Sequence, residues 1–409
     1  MTSRERVMKA LNFEEPDRVP LDLGGTIMTG IMAQALHGLR EELGLEKHPL
    51  KVYEVFQMLG EVEADVVEAL GVDVLPVEPL IQFFGLKRER YKPWRLFDGT
   101  PVLVPGDFEV EVDERGDFLL REGGRPEEPV AGRMPKEGYY FDVLEWMSFD
   151  PSFTPPPIQE LRKTTDPIAD EDLEFLASRA ARLRRETDKA LLLGCWGSCG
   201  LRRVGSIPEF LVVLATDKDY VRRLFELRTE TALLNLERLW RTLGEDIDIV
   251  GLEGADYGSQ RSELFSPKWF EDLFVPFYKV QNDWVHRNTT WKTWQHSCGS
   301  IANILPMLVE TGVDVLNPVQ CSAAGMGPSW LKEQFGKRLV FWGGGVDTQH
   351  TLPFGTPEEV AAEVEERIRI FAPGGGYVFN PVHNIQVNTP PRNVVMAYET
   401  ARRVGVYPL

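Results

Sequence analysis

The sequence predicts an α/β protein built as one (β/α)8 barrel of the TIM type, with a helical extension at its N-terminus. Eight short apolar segments are separated, for the most part, by longer amphipathic segments. Strands that alternate with helices favour a parallel sheet with crossover helices, and eight such units favour closure into a barrel. An open, doubly wound sheet is the alternative that the same alternation allows. We therefore treat residues 1–409 as one barrel domain.

The first helix is predicted from Thr2 and Glu5, which have the spacing of a capping box, and it continues to Leu11. The predicted strands are residues 19–24, 72–77, 190–196, 247–252, 290–295, 313–319, 339–342 and 377–381. The predicted helices include residues 54–70, 170–187, 219–243, 267–288, 301–311 and 357–371.

One region interrupts this alternation, from about residue 85 to residue 157. Residues 108–112 and 118–122 alternate apolar and charged side chains, and a turn sequence containing Gly116 separates them. Period-two alternation on both sides of a turn is typical of a β-hairpin. We expect a β-rich insertion between the second and third barrel strands, closed by the proline-rich residues 151–157.

The composition of the chain disfavours several classes of partner and location. The chain has 63 acidic and 45 basic residues, a net charge of −18, which disfavours nucleic acid and anionic membranes as partners. No apolar leader or membrane span is evident, and four cysteines are too few for a disulfide scaffold. A cytoplasmic protein is expected, with thiols free for packing or for binding metal.

The most informative motif is His296-Ser-Cys298-Gly299, directly after the predicted fifth strand. Residues at i and i+2 of an extended segment point to the same side. An imidazole and a thiolate together suit zinc best among the common ions. The alternative is a buried cysteine that packs as a small apolar residue, beside a histidine bonded to a carbonyl.

Further ligands and catalytic groups are expected at the other strand ends, because barrel active sites lie at the carboxyl ends of the strands. His383 is the preferred third metal ligand, with Cys321 as the alternative. Glu253 and Asp256 are candidate catalytic residues, for ligation, proton transfer or substrate orientation. The residues predicted to bind substrate are Asp73, Tyr257, Asn317, Gln320, Asp347 and Asn384.

Three segments carry a resemblance to a known family. They are residues 3–11 (Ser-Arg-Glu-Arg-Val-Met-Lys-Ala-Leu) with 16–20 (Pro-Asp-Arg-Val-Pro), residues 265–270 (Phe-Ser-Pro-Lys-Trp-Phe) with Pro276, and residues 376–384 with Pro390 and Pro391. Over nearly its whole length the chain resembles the uroporphyrinogen decarboxylase superfamily, which is built on a (β/α)8 barrel.

The superfamily has two branches, true decarboxylases and corrinoid-dependent methyltransferases, and the chain resembles the methyltransferases more closely. True decarboxylases of this superfamily bind substrate carboxylates through an arginine-containing signature, whereas residues 21–25 here read Leu-Asp-Leu-Gly-Gly. An octa-acidic substrate would also meet a protein of net charge −18. The other branch holds corrinoid-dependent methyltransferases, and those that use coenzyme M bind zinc through a His-x-Cys pair and a distant Cys. His296 and Cys298 match the pair, while His383 stands at the position of the distant Cys.

This branch implies methyl transfer between a corrinoid and a small acceptor or donor. The acceptor would be a thiol, or a tetrahydrofolate-type pterin as in related bacterial enzymes. The chain has no Asp-x-His-x-x-Gly segment, so the corrinoid is expected on a partner protein. Two alternatives stay open: a metal-free carboxy-lyase using Arg202 or Arg203, and a non-catalytic protein that binds metal or corrinoid. The resemblance also allows a homodimer.

Overall fold

The computed structural model describes residues 1–194 and 198–409, apart from the side chain of Met147. Its strands are β1 (Leu50–Glu54), β2 (Leu59–Gly60), β3 (Val74–Val77), β4 (Lys92–Arg95), β5 (Pro101–Val104), β6 (Val110–Val112), β7 (Phe118–Arg121), β8 (Val130–Met134), β9 (Asp142–Val143), β10 (Ala190–Gly194), β11 (Ile249–Gly254), β12 (Lys292–His296), β13 (Val315–Asn317), β14 (Val340–Trp342) and β15 (Tyr377–Val378). The last two residues of the predicted strand 190–196 lie outside the described residues.

The helices are α1 (Ser3–Leu11), α2 (Ala33–Glu42), α3 (Ala64–Leu70), α4 (Leu144–Met147), α5 (Ile158–Thr164), α6 (Asp170–Glu186), α7 (Ile207–Thr216), α8 (Lys218–Leu243), α9 (Pro267–Leu273), α10 (Val275–Asn288), α11 (Leu305–Glu310), α12 (Pro328–Phe335), α13 (Thr351–Phe354), α14 (Pro357–Phe371) and α15 (Pro391–Val404). The predicted helix 267–288 is two helices, because Pro276 has no N–H to continue the hydrogen bonding of α9 and instead opens α10. None of the described helices combines the length and apolar character needed to cross a bilayer.

Seven parallel strands form one curled sheet in the order β15-β14-β13-β12-β11-β10-β3. The predicted first strand, residues 19–24, fills the eighth position as an extended segment with one bridge, from Leu21 to Phe379. The Phe379 N–H donates to the Pro20 carbonyl at 2.8 Å, and on the other side the Asp73 N–H donates to the Leu21 carbonyl at 2.8 Å. The ring of strands is thereby closed, as the predicted (β/α)8 barrel requires.

The inside of this ring is filled by apolar side chains from successive strands, among them Val74, Ile249, Trp294 and Trp342. Residues of α1 belong to the same cluster, so the N-terminal helix closes the amino end of the barrel. A packed interior of this kind leaves the carboxyl ends of the strands as the place for a site.

The predicted helix 54–70 is wrong over its first part. Glu54 ends β1, and its carboxylate accepts the N–H groups of Phe56 at 2.6 Å and Gln57 at 2.9 Å, which fixes a turn. Met58 follows with φ of 51°, a left-handed conformation that helices exclude. Side chain-to-backbone bonds of this kind compete with helix formation, and only α3 remains helical.

The β-rich residues between β3 and β10 pair in two ways. Strands β4 and β5 join β1 and β2 in one four-stranded sheet, and β6 to β9 form a second, antiparallel sheet. The two share an apolar core that includes Val52, Leu86, Phe108 and Phe141. The predicted insertion 85–157 therefore holds more strands than a single hairpin and pairs with the earlier strand β1.

The buried Glu54 gives a pH-dependent prediction. Burial raises its pKa from 4.5 to about 7, against the N–H groups of Gln57 and Phe56 and the charge of Arg88. A raised pKa in the folded state contributes stability below pH 4.5, and this contribution is lost as the pH rises through 7. We expect the free energy of unfolding of the wild type, relative to Glu54→Gln, to fall by up to about 3 kcal/mol between pH 4.5 and pH 8.

Urea unfolding of both proteins at several pH values measures this difference. The glutamine variant carries a pH-independent loss, since one of its two accepted bonds is gone, and only the slope is compared. Replacing the exposed Glu127 with glutamine is the matched control, and its slope should equal that of the wild type. Parallel curves for wild type and Glu54→Gln would contradict the prediction.

Candidate metal centre

Three side chains with metal-binding atoms meet at the carboxyl ends of the strands: His296, Cys298 and His383. One donor atom from each lies within 4.8 Å of the other two. The Sγ of Cys298 is 3.3 Å from the Nε2 of His296, and the two imidazole rings have centroids 5.3 Å apart. The geometry brings together the predicted His-x-Cys pair and the preferred third ligand from the far end of the sequence.

The backbone around Gly299 positions Cys298. Gly299 has φ of +88°, and a Cβ on it would lie 2.4 Å from the carbonyl carbon of Gly258. Only glycine fits, because both the left-handed conformation and the close approach exclude a side chain. The turn also directs the Cys298 N–H to the Oδ1 of Asp256, at 2.8 Å.

The tautomer of His296 follows from its neighbour Asn317. The Nδ2 of Asn317 donates to the Trp342 carbonyl at 2.9 Å, which fixes the amide and turns Oδ1 toward His296. This Oδ1 is 2.7 Å from the Nδ1 of His296, so Nδ1 carries the proton and donates it. The lone pair on Nε2 is then free on the side of Cys298, which is the arrangement a metal-binding histidine requires.

His383 is held differently. Its Nδ1 accepts the N–H of Asn384 at 2.8 Å, which leaves the proton of the neutral ring on Nε2. A metal ion bound at Nε2 would therefore require this proton to move to Nδ1 or to leave.

Burial disfavours the charged form of all three groups. It lowers the pKa of His296, with Asp256 and Asn317 acting in the opposite direction. Burial and the neighbouring His296 lower the pKa of His383 to about 4. Burial and Asp256 raise the pKa of the Cys298 thiol well above its usual value. Two neutral imidazoles and a thiol that needs a counter-charge to ionise form a donor set that a divalent cation would satisfy.

Asp256 and Glu253, the two predicted catalytic carboxylates, have different surroundings. Asp256 is half-exposed and its Oδ1 lies 3.7 Å from the Nε2 of His296. Glu253 is buried, and it accepts the N–H groups of Leu201 at 2.7 Å and Gly254 at 3.0 Å and the hydroxyl of Tyr278 at 3.1 Å. Burial raises the pKa of Glu253, against these hydrogen bonds. Asp256 belongs to the candidate centre, whereas Glu253 ties together the neighbouring strand ends.

A cavity of about 270 Å³ opens beside the three donors. The described residues that line it come from the loops after five strands, β11 to β15, and most are small or carry a hydroxyl or amide: Gly258, Ser259, Gln260, Cys298, Gly299, Gln320, Ser322, Asp347, Thr348, Gln349, Val382 and His383. Its walls include two of the three donors, so a bound molecule would lie directly against them.

Three of the six residues predicted to bind substrate lie at this site. Gln320 and Asp347 line the cavity, and Gln320 also accepts the Gly299 N–H at 2.7 Å. Asn317 lies beneath His296 and bonds to it, so its contact is with a donor residue and not with the cavity.

The other three lie elsewhere. Asp73 precedes β3, at the amino end of the barrel, and forms ion pairs with Arg6 and Arg18. The Tyr257 ring is buried among aromatic residues and its hydroxyl bonds to that of Tyr278. The Asn384 amide is buried and joins the Gly30 N–H to the Ile27 carbonyl.

Cys321, the alternative ligand, is not part of the group of three donors. Its side chain packs against the apolar core, and burial raises the pKa of its thiol to about 12. Of His383 and Cys321, the structure places His383 beside the His296–Cys298 pair.

Sequence reasoning missed part of the cavity wall, namely Ser259, Gln260, Ser322 and Gln349. Each lies a few residues beyond a polar strand end that was recognised, so extending those loops would have found them. No comparable signal marks Tyr278, which reaches Glu253 from the middle of α10.

Of the alignments with solved structures that follow, the first agrees with this architecture. The chain aligns with the methyltransferase from Methanosarcina mazei at a TM-score of 0.56 and 16% identity, over 98% of each chain. The GH53 catalytic domain of Ignisphaera aggregans aligns at a TM-score of 0.34 and 12% identity, over 94% of this chain and 99% of that one. The homocysteine methyltransferase of Escherichia coli, in its apo form, aligns at 0.26 and 9% identity, over 62% and 78%. A search of curated protein sequences gave no match.

A comparison with models of protein families assigns the chain to a family. The model described as uroporphyrinogen decarboxylase (URO-D) matches residues 147–404, which is more than half of the 409 residues. The matched region contains β10 to β15 and all three donor residues. Together with the closed ring of parallel strands, this match shows that the chain belongs to the uroporphyrinogen decarboxylase family.

Proposed function

We propose that the chain is a methyltransferase that moves a methyl group between a corrinoid on a partner protein and a small thiol, pterin or methylated substrate. Zinc held by His296, Cys298 and His383 would serve this reaction. The observation that carries the proposal is the convergence of these three donors, within 4.8 Å of one another, beside a cavity at the barrel mouth whose wall includes Cys298 and His383.

Zinc suits the pair of His296 and Cys298 in both chemistry and distance. Zn–N bonds of about 2.0–2.1 Å and Zn–S bonds of about 2.3 Å put tetrahedral N and S donors roughly 3.5 Å apart. The 3.3 Å between the Nε2 of His296 and the Sγ of Cys298 is close to this separation. Three protein ligands leave a fourth position for substrate, which is typical of catalytic zinc sites.

When bound, zinc would lower the pKa of a thiol or similar soft group in the fourth position, so that the group is nucleophilic at neutral pH. Residues of the chain orient the donors and accept the proton. Asn317 holds the Nε2 lone pair of His296 toward the centre. Asp256, half-exposed and close to His296, can accept the proton that an incoming thiol gives up.

The contacts favour Asp256 over Glu253 for this proton transfer. Both carboxylate oxygens of Glu253 accept hydrogen bonds from the chain itself. Glu253 would instead keep the loop after β11 at the angle that presents Asp256 to the centre.

A partner protein is part of the proposal. The sequence holds no Asp-x-His-x-x-Gly segment, so this chain lacks the usual histidine for the lower face of a corrinoid. The corrinoid would come to the open barrel mouth on another protein, in the cytoplasm.

A metal-free carboxy-lyase is the second candidate, and one observation favours it. The guanidinium of Arg203 lies 5.8 Å from the ring centroid of Trp146, and among the described residues its buried Nε has no hydrogen-bond partner. An anionic substrate group could bind there. This candidate predicts release of carbon dioxide without metal and without a corrinoid.

The hydrogen bond that His296 donates to Asn317 gives a prediction about zinc affinity. Asn317→Ala removes the acceptor for the Nδ1 proton and releases the ring, and loss of such a partner costs about 10- to 100-fold in metal affinity. Competition with a chromophoric chelator measures the affinity. Asn288→Ala, at the exposed end of α10, is the matched control and should bind zinc as the wild type does. Equal affinity in a folded Asn317→Ala protein would contradict the assigned role.

Methyl transfer itself tests the proposed function. Zinc-loaded protein is mixed with methylcobalamin and a thiol or tetrahydrofolate, and loss of the methylcobalamin absorbance is followed. We expect transfer by the wild type, and none by the metal-free protein or by Cys298→Ala. No transfer to any thiol or pterin would overturn the proposal, and metal-independent release of carbon dioxide from a carboxylated compound would favour the lyase.

A further inference from the structure

We infer that the cavity beside the three donors accepts small polar substrates that carry no negative charge, with a neutral or positively charged group at the end remote from the reacting atom. This inference rests on the proposed function and narrows its substrate class. It separates this chain from a site for an anionic thiol such as coenzyme M.

The first support for an uncharged or cationic substrate is the set of polar groups in the cavity wall. Hydroxyl and amide groups come from Ser259, Gln260, Ser322 and Gln349, and the one acid is Asp347. None of the described lining residues is a lysine or an arginine. Sites that bind sulfonate, phosphate or carboxylate groups usually present such a cation, or a row of N–H donors.

Asp347 remains ionised in this wall. Its Oδ1 accepts the N–H groups of Gln349 at 2.8 Å and His350 at 2.7 Å. Burial opposes ionisation, but the Ser322 hydroxyl and these N–H groups lower the pKa of Asp347 below its ordinary value. A substrate in the cavity therefore lies beside a full negative charge.

Among the described residues no lysine or arginine pairs with Asp347; its ionisable side-chain partner is the exposed imidazole of His350, whose Nδ1 lies 3.3 Å from the Asp347 Oδ1. Arg367, on α14, is paired with Glu363 at 3.0 Å and Glu366 at 3.6 Å and does not line the cavity. A divalent ion with the Cys298 thiolate and Asp256 beside it would be locally neutral, since two positive charges meet two negative ones. Asp347 then sets the sign of the field that a substrate meets.

The charge of Asp347 disfavours anionic substrates and favours cationic ones. An anionic group would give up its hydration in the cavity beside a like charge, which is costly. An ammonium group would gain an opposite charge, and a hydroxyl could bond to the serine and glutamine side chains. A cavity of about 270 Å³ has room for a two-carbon thiol of either kind.

Three two-carbon thiols that differ only in their terminal group test the inference: 2-aminoethanethiol, 2-mercaptoethanol and 2-mercaptoethanesulfonate. Their affinities for zinc-loaded protein are measured by calorimetry at pH 8, with metal-free protein as reference and with correction for the ionisation of each thiol. We expect the amine and the alcohol to bind at least about tenfold more tightly than the sulfonate.

Asp347→Asn separates charge from shape, because asparagine keeps an oxygen for the two N–H groups. In this variant, shown by thermal unfolding to be folded, the gap between amine and sulfonate should shrink to a few-fold or less. Arg261→Gln, which removes an exposed cation next to Gln260, is the matched control and should leave the order of the three thiols unchanged.

The possible results distinguish failure of the inferred substrate class from failure of the proposed methyltransferase function. Tightest binding by the sulfonate, or an unchanged gap in Asp347→Asn, would overturn the inference and leave the proposed function standing. Failure of all three thiols to bind zinc-loaded protein would overturn the inference together with the thiol form of the proposed function.

Discussion

Cys298→Ala is expected to leave the purified protein without zinc, whereas the wild type should hold about one zinc ion per chain. The thiolate is the one ligand of the three that brings a negative charge to the ion. Without it, two buried imidazoles would have to hold a divalent cation, with the half-exposed Asp256 as a nearby opposite charge. The loss of affinity should exceed the ~10- to 100-fold that follows loss of an outer hydrogen-bond partner.

Elemental analysis of both proteins, purified side by side, measures this effect. Cys321→Ala is the matched control, because that thiol is outside the group of three donors and packs against the core. It should keep the zinc content of the wild type. Equal zinc in Cys298→Ala and wild type, or loss of zinc in Cys321→Ala alone, would show that the metal is bound elsewhere.

Asp73→Asn should cost the protein about 3–5 kcal/mol of its free energy of unfolding. The Asp73 carboxylate is fully buried and forms ion pairs of 2.7 Å with both Arg6 and Arg18. It also accepts the Ser3 hydroxyl and the Leu21 N–H, so it joins α1 to the segment that closes the barrel. Asparagine keeps the shape but removes the counter-charge that the two guanidinium groups share: Arg6 keeps its pair with Asp17, and Arg18 is left with the carbonyls of Val19 and Gly71.

Urea unfolding of wild type and variant tests this value, with the cofactor-free protein used for both. The matched control is Glu271→Gln, which removes one of the two partners of Lys268, an exposed pair of 3.0 Å on α9, and leaves Asp272. Exposed pairs contribute little, so no measurable change is expected there. Equal stability of Asp73→Asn and wild type would mean that the ion pairs are not needed to close the barrel.

The fold followed from the sequence wherever the hydrophobic pattern was long and regular. The helices α6, α8 and α14 and the barrel strands β10 to β15 lie where their periodicity predicted them. The fold class is confirmed by the closed ring of strands and by the family match. Long amphipathic segments are predicted well because one face of each must be buried.

The errors in the fold have local causes. In residues 54–70 the apolar pattern suits a helix, but the Glu54 carboxylate bonds to the next two N–H groups and starts a turn. In residues 19–24, Pro20 has no N–H to donate, and Gly24 turns the chain away with φ of 81°. The segment still closes the barrel, but with too few paired groups to form a regular strand.

Part of the candidate site could be named from the sequence, because barrel geometry brings strand ends together. His296, Cys298 and His383 could be named from their positions after strands, and the structure brings their donor atoms together. Which strand-end side chains face the cavity was not readable from position. The hydroxyl of Tyr257 turns to Tyr278 and the amide of Asn384 turns to the backbone of the loop that contains Gly30. Those directions depend on partners far away in the sequence.

X-ray absorption at the zinc edge, on the zinc-loaded wild type, tests the central claim most directly. The account predicts one sulfur at about 2.3 Å and nitrogen or oxygen donors at about 2.0–2.1 Å, with the sulfur lost in any zinc retained by Cys298→Ala. A thiol substrate should add a second sulfur by occupying the open position. A zinc environment without sulfur in the wild type would contradict the assignment of His296, Cys298 and His383 as the metal centre.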